Sequence, residues 1–272
     1  MPTQPISVAD FFNLESSLAT EFRRILNSIQ QASKEREIKT LLITSATLSE
    51  GKSTVCSFLA MTAAKKRVKT LLVDADLRRP SLHRIFATTR EQGVSEVLSE
   101  GASGKRMIKK TSLDNLDLLT AGKVAAHPAE VFDARILGRM FTEMKFHYDL
   151  VIIDGAPILP VSDPMLLAPE VDGIVMVVKA GATQRDLVGR ARDILGSSTN
   201  KILGVVLNNV DASLPPHYDS TYQEYNYSQK GTGSRKEIAA EALKSESLAD
   251  KPRDNAAGDT RKEPSSGNTV PR

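Results

Sequence analysis

A single cysteine, Cys56, among 272 residues leaves no partner for an intramolecular disulfide. A stapled secreted miniprotein is therefore excluded, and a reducing cytosol is the expected setting. Tryptophan is absent and aromatic residues make up only 5%, so the interior has to be mainly aliphatic. No charge of one sign dominates: 36 basic and 33 acidic side chains leave a formal +3, too even a mixture for a dedicated nucleic-acid binder. Long apolar runs are missing as well. The stretches at 150–153 and 174–178 are interrupted after a few residues by Asp, Gly or Lys, far short of the ~18 needed to cross a bilayer. The opening MPTQPISVADFF has neither the basic region nor the apolar core of a secretory signal. Any membrane association has to be borrowed from a partner.

What is present is a globular balance, 40% hydrophobic and 25% charged, in a chain long enough to bury a core. Leu14, Leu18, Phe22, Ile25, Leu26 and Ile29 recur at spacings of three and four, which predicts an amphipathic helix over 14–32. Short aliphatic runs of strand length follow: Leu41 to Thr44, Leu71 to Val73, Leu116 to Leu119, Leu150 to Ile153, Ile174 to Val178 and Ile202 to Leu207. Several lack polar alternation, as strands covered on both faces do. Helical segments are expected between them at 53–66, 129–146 and 183–196, the second opened by Pro128. Alternating strand and helix implies an α/β fold, a mostly parallel sheet with helices on both faces. After Val210 the character changes. Residues 211–230 hold Pro215, Pro216 and four tyrosines, and 231–272 have no aromatic residue and few large aliphatics. Such a segment buries too little to offset its ordering entropy and reads as a flexible, disordered tail.

The run from Leu41 to Thr44 leads through Ser45-Ala46-Thr47-Leu48-Ser49-Glu50-Gly51-Lys52-Ser53-Thr54 into a helix, the strand, loop, helix order of a P-loop, with Ala46 in place of the first glycine. Ser49, Glu50, Gly51, Lys52, Ser53 and Thr54 would surround the phosphates of ATP with backbone N–H groups and the positive end of the helix dipole. Lys52 would bridge β and γ phosphate oxygens, the Ser53 hydroxyl would ligate Mg²⁺, and Thr54 would reach the α-phosphate. Asp74 and Asp76 follow one buried run and Asp154 another, on the sheet edge where the phosphate loop has to lie. A hydroxyl, one or two carboxylates and phosphate oxygens are the usual surroundings of Mg²⁺, so Ser53, Asp74 and Asp154 are the expected metal residues. Single strand-end aspartates often only cap turns; three beside one lysine point to chemistry.

In their order and wording these motifs resemble the bacterial tyrosine kinases (BY-kinases) of the CpsD/CapB-type capsular exopolysaccharide family. Ser45 to Thr54 is similar to that family's Walker A. Leu71 to Pro80, LLVDADLRRP, resembles its Walker A′, and Leu150 to Pro157, LVIIDGAP, its Walker B. Ser162-Asp163, Gly173 to Lys179 and Asn208-Asn209-Val210-Asp211 also fall in family order. The resemblance implies a P-loop ATP-binding kinase domain over 1–210, a tyrosine cluster over 211–230 and a tail over 231–272. It implies ATP-dependent phosphorylation of tyrosine, with Lys52, Asp74 and Asp76 catalytic, one of the two aspartates serving as base or orienter, and Asn208 on adenine. It further implies a homo-oligomer and a cytoplasmic location, with recruitment to the membrane by a transmembrane activator of the chain-length (Wzz-like) kind. The family's Glu-x-x-Arg-x-x-Arg interface motif appears as Glu21, Arg24 and Asn27, and Leu48-Ser49 stands where Pro-Gly is usual. Arg78 and Arg79 read equally as stabilisers of phosphate charge or as a solvated turn.

Tyr218, Tyr222, Tyr225 and Tyr227 lie among Asp, Ser, Gln, Glu and Asn, with no core periodicity, and read as phosphoacceptors. Tyr218 is ten residues beyond Asn208, a reach of roughly 33 Å if extended. Two other readings fit the same phosphate loop. One is a partition-type (ParA/MinD) ATPase switch, whose signature lysine falls at Thr47 here; the other is an ATP-binding scaffold without transfer activity. Cys56 reads as a small packing residue, and the histidines show no zinc-ligand spacing.

Overall fold

The computed structural model describes residues 17–101, 103–123 and 131–210. The tyrosine cluster, the expected tail, Leu14 and Pro128 lie outside the described residues. Seven strands, β1 (Thr40–Ser45), β2 (Thr70–Asp74), β3 (Lys109–Lys110), β4 (Leu116–Leu119), β5 (Leu150–Asp154), β6 (Gly173–Lys179) and β7 (Ile202–Asn208), form one sheet in the order β3-β4-β2-β5-β1-β6-β7. Every pairing is parallel except β3 with β4. The six strands expected from aliphatic runs are all present. β3, two lysines long, has no apolar signature to announce it.

Side chains alternate across the sheet and feed two cores. Leu42, Leu71, Val73, Val151, Ile153, Ile174 and Met176 face one, and Leu41, Ile43, Leu72, Ile152, Val175 and Val177 the other. The second is covered by α1 (Ser17–Ala32) and α2 (Lys52–Lys65). Phe22, Leu26 and Ile29 make the buried stripe of α1, and Phe22 stacks on Phe58 of α2 at 5.3 Å. The first core is closed by α4 (Val94–Glu100), α5 (Ala134–His147) and residues of α6 (Asp163–Leu167) and α7 (Arg185–Ile194); the short α3 (Leu82–Ile85) follows β2. Within the helix expected at 129–146, residues 129 and 130 lie outside the described residues, Val131 is helical, and after a break at 132–133 α5 starts at Ala134, capped by the Asp133 carboxylate, which accepts from the amides of Arg135 and Ile136. Leu137, Met140, Phe141 and Met144 then give its buried face.

Loops leaving the C-terminal ends of β1, β2 and β5 meet at one edge, where ligands of open parallel sheets bind. Among the described residues no helix is long and apolar enough to cross a membrane.

Candidate active site

The loop after β1 is wound into a concave shape by its own polar groups. The Ser45 hydroxyl donates to the Thr47 carbonyl at 2.6 Å, and the Thr47 amide donates to the Glu50 carboxylate at 2.7 Å, with the Thr47 hydroxyl on the same oxygen. Ser49 and Gly51 take positive φ values of 59° and 90°, which turns successive amides toward one side, as in anion-binding nests. Gly51 precedes α2 and no side chain caps that helix, so its first N–H groups remain available to an anion. Glycine suits position 51, because its φ is left-handed and a Cβ there would lie 2.0 Å from Asn208 Nδ2 and force that amide to withdraw. Ala46 is fully buried within the core that holds Leu42, and its carbonyl accepts from the Leu159 amide at 3.1 Å.

Asp74 and Asp154 are partners in the β2–β5 register and both are fully buried. Asp74 Oδ2 accepts from the amides of Ser81 and Leu82, each at 3.1 Å, while Oδ1 has no partner. Asp154 Oδ1 lies 3.6 Å from the Cys56 thiol, and Oδ2 is unpartnered. Burial pushes the Asp154 carboxyl up to about 7, opposed by the Ser53 hydrogen bond and the Lys52 ammonium and reinforced by Asp76. Burial and then the charge of Asp154 raise Asp74 well above the carboxylate range. Asp76, nearly buried, accepts from the Arg79 amide at 2.9 Å. Lys52 is 8% exposed at the start of α2.

Two orphaned, dehydrated carboxylate oxygens on adjacent strands, next to a serine hydroxyl, fit a hard divalent cation. Among the described residues no group of three or more His, Cys, Asp or Glu could hold a metal unaided. An ion here would therefore draw the rest of its shell from phosphate and water, as Mg²⁺ commonly does.

Lys52, Ser53, Asp74, Asp76 and Asp154 are thus brought together as the sequence predicts. Five residues have contacts the sequence did not disclose. The Asn208 amide donates to the Glu50 carbonyl at 2.9 Å, so Asn208 braces the phosphate loop, a contact additional to the one with adenine that the resemblance implies. The Glu50 side chain is buried and clamps Thr47. Cys56 is more than a packing residue: it touches Asp154, and burial pushes its thiol up, so it is held protonated. Arg78 is no solvated turn, since it pairs with buried Asp163. Tyr148, the one tyrosine outside the cluster, is buried and donates to Asp117 at 2.8 Å.

The AAA domain family matches residues 39–183, more than half of the chain. Tyrosine-protein kinase YwqD of Bacillus subtilis (strain 168) is 34% identical over 210 residues, 77% of this chain and 89% of its own length. Tyrosine-protein kinase CpsD of Streptococcus agalactiae is 35% identical over 211 residues, with 77% and 89% covered. Among solved structures, the kinase domain of the Escherichia coli tyrosine kinase ETK superposes with a TM-score of 0.72 at 27% identity, covering 86% of each chain. MinD of Pyrococcus horikoshii with Mg-ADP shares the fold alone, at a TM-score of 0.56 and 22% identity, covering 67% of this chain and 76% of its own. Taken with the phosphate loop and its three carboxylates, these likenesses establish that the chain belongs to the bacterial tyrosine-protein kinase family.

Proposed function

We propose that this tyrosine kinase transfers the γ-phosphoryl group of ATP to its own tyrosines, Tyr218, Tyr222, Tyr225 and Tyr227, and thereby regulates capsule or exopolysaccharide synthesis. The observation that carries the reading is the convergence of Lys52, Ser53 and the orphaned oxygens of Asp74 and Asp154 at the uncapped start of α2. The loop amides and the Lys52 ammonium bind and orient the triphosphate. Ser53, Asp154 and Asp74 would hold Mg²⁺, which supplies charge neutralisation on the phosphate oxygens. Asp76, at the rim, meets the incoming tyrosine and takes its proton. The phenolic oxygen bonds to the γ-phosphorus as the bond to the β–γ bridging oxygen breaks, leaving ADP. Positioning supplies most of the acceleration.

Membrane recruitment by a separate transmembrane activator and self-assembly belong to the same proposal. Their support is the family, whose members wzc and etk extend far beyond the matched part, which spans 30% and 27% of their lengths. In the interface segment Arg24 pairs with Glu21 at 3.1 Å on an exposed face, and Asn27 accepts from Lys66 at 3.0 Å. Phosphorylation would add roughly −1.5 to −2 charges per tyrosine and loosen the assembly by repulsion.

Purified full-length protein incubated with labelled ATP tests the proposal, with Lys52→Met as control. Phosphotyrosine in the wild type, lost in Lys52→Met and in a variant with the four tyrosines changed to Phe, is expected. Free phosphate without phosphotyrosine would indicate a switch, and neither product a scaffold.

A further inference from the structure

Arg78 grips Asp163 with two prongs: Nε donates to Oδ2 at 2.9 Å and Nη2 to Oδ1 at 3.2 Å. Asp163 is fully buried in α6, and among the described residues Arg78 is the only cationic side chain within ion-pair distance of it. Phosphate binding does not explain this pair. Its place in the fold does.

Arg78 sits in the middle of the turn that carries Asp76. One end of that turn is fixed where the Ala75 amide donates to the Asp154 carbonyl at 2.9 Å. The other end is fixed where Ser81 and Leu82 donate to Asp74, and inside the turn Arg79 donates to Asp76. The Arg78 fork ties the centre of the turn to another part of the molecule. Its partner belongs to the segment that follows β5, the strand that presents Asp154. The pair therefore spans from the loop after β2 to the loop after β5, above the register pair Asp74 and Asp154. Arg78 is also close enough to Asp76 for their charges to interact.

We propose that Asp163 is a positioning residue for the transfer step: through Arg78 it holds Asp76 at its working distance from Asp154. This rests on the reading of Asp76 as the group that meets the acceptor. The phosphate loop and Asn208 take no part in the pair, so binding of ATP is left alone while turnover depends on it.

The test measures ADP release, which reports turnover whether the phosphoryl group goes to tyrosine or to water, alongside phosphotyrosine and calorimetric affinity for ADP. In Asp163→Asn, kcat is expected to fall by about 10- to 100-fold, the scale of a small misplacement at a reacting centre, with KM for ATP and ADP affinity nearly unchanged. Arg78→Lys, which keeps the charge and loses the fork, should fall between. The double variant Arg78→Met/Asp163→Leu leaves no buried charge unpaired and is expected to fold with the same loss of kcat, so it decides the matter if Asp163→Asn does not fold. Wild-type kcat in the folded variants, or a loss of ADP affinity matching the loss of turnover, overturns the proposal. If the wild type releases ADP and forms no phosphotyrosine, the tyrosine reading fails while the effect on turnover still decides this one.

Discussion

Gly51→Ala is the substitution whose consequence the structure defines most fully. Gly51 has φ 90° and ψ 24°, a left-handed conformation that costs an L-residue about 1–2 kcal/mol. The new Cβ would also stand 2.0 Å from Asn208 Nδ2, so the Asn208 amide has to withdraw and give up its 2.9 Å bond to the Glu50 carbonyl. A hydrogen bond of that kind contributes about 0.5–1.5 kcal/mol. Together these disfavour the binding-competent loop by ~2–3 kcal/mol, or about 30- to 150-fold in apparent affinity for nucleotide. Isothermal titration with ADP and magnesium reads this directly. Asn208→Ala alone should weaken binding several-fold. Added to Gly51→Ala it should cost nothing further, because the bond it removes is already gone. Binding by Gly51→Ala at wild-type strength, or simple addition of the two costs, would refute the reasoning.

Asp172 accepts from the Lys39 and Thr40 amides at 3.0 and 2.8 Å, the Thr40 hydroxyl at 2.8 Å and the Lys145 ammonium at 2.7 Å. Asp172→Ala should therefore destabilise the domain by about 2–4 kcal/mol in urea unfolding at neutral pH. Burial alone would raise the Asp172 carboxyl, but Lys145, Thr40 and Lys39 outweigh it and hold it below the ordinary range. Its contribution is thus complete above the unfolded value of about 4 and is lost as pH falls through the lower folded value. The stability gap between wild type and Asp172→Asn should narrow on acidification across that window; a gap that widened would contradict the assignment. Tyr148→Phe removes the buried bond to Asp117 and should cost about 1 kcal/mol in thermal or urea unfolding. The same variant should leave phosphotyrosine incorporation unchanged, and a drop in labelling would make Tyr148 an acceptor.

The sheet was legible because β1, β2, β5 and β6 are buried on both faces and therefore read as aliphatic runs; β7 carries the same signature although Val205 and Leu207 are exposed. β3 escaped because two lysines on an edge carry no apolar pattern, and α3, α4 and α6 because helices of 4, 7 and 5 residues show less than two turns of periodicity. Within the site, charged residues at strand ends were visible because chemistry restricts their type and position. The supporting contacts were not. Asn208 is 158 residues from the carbonyl it meets, and Arg78 is 85 from Asp163, so nothing local in either sequence neighbourhood signals the bond. Thr47 and Glu50 are the reverse case, three residues apart, yet a turn of this kind has no pattern that separates it from other polar loops. The break at 132–133 inside the helix expected at 129–146 was not legible, because an aspartate within an amphipathic pattern reads as a surface residue as readily as a cap.

Asn208 closes the last strand and leans on the phosphate loop, so the chain that carries the tyrosines further along the sequence leaves β7 beside that loop. If Tyr218, ten residues on, is an acceptor as proposed, the tether would set its effective concentration on the order of millimolar, in its own pocket or in that of a neighbour. An acceptor supplied in this way needs little intrinsic affinity. Selection on the residues flanking each tyrosine would then be relaxed, and the spacing from strand to tyrosine would become the quantity that evolution, or an engineer shortening the tether, could not alter freely.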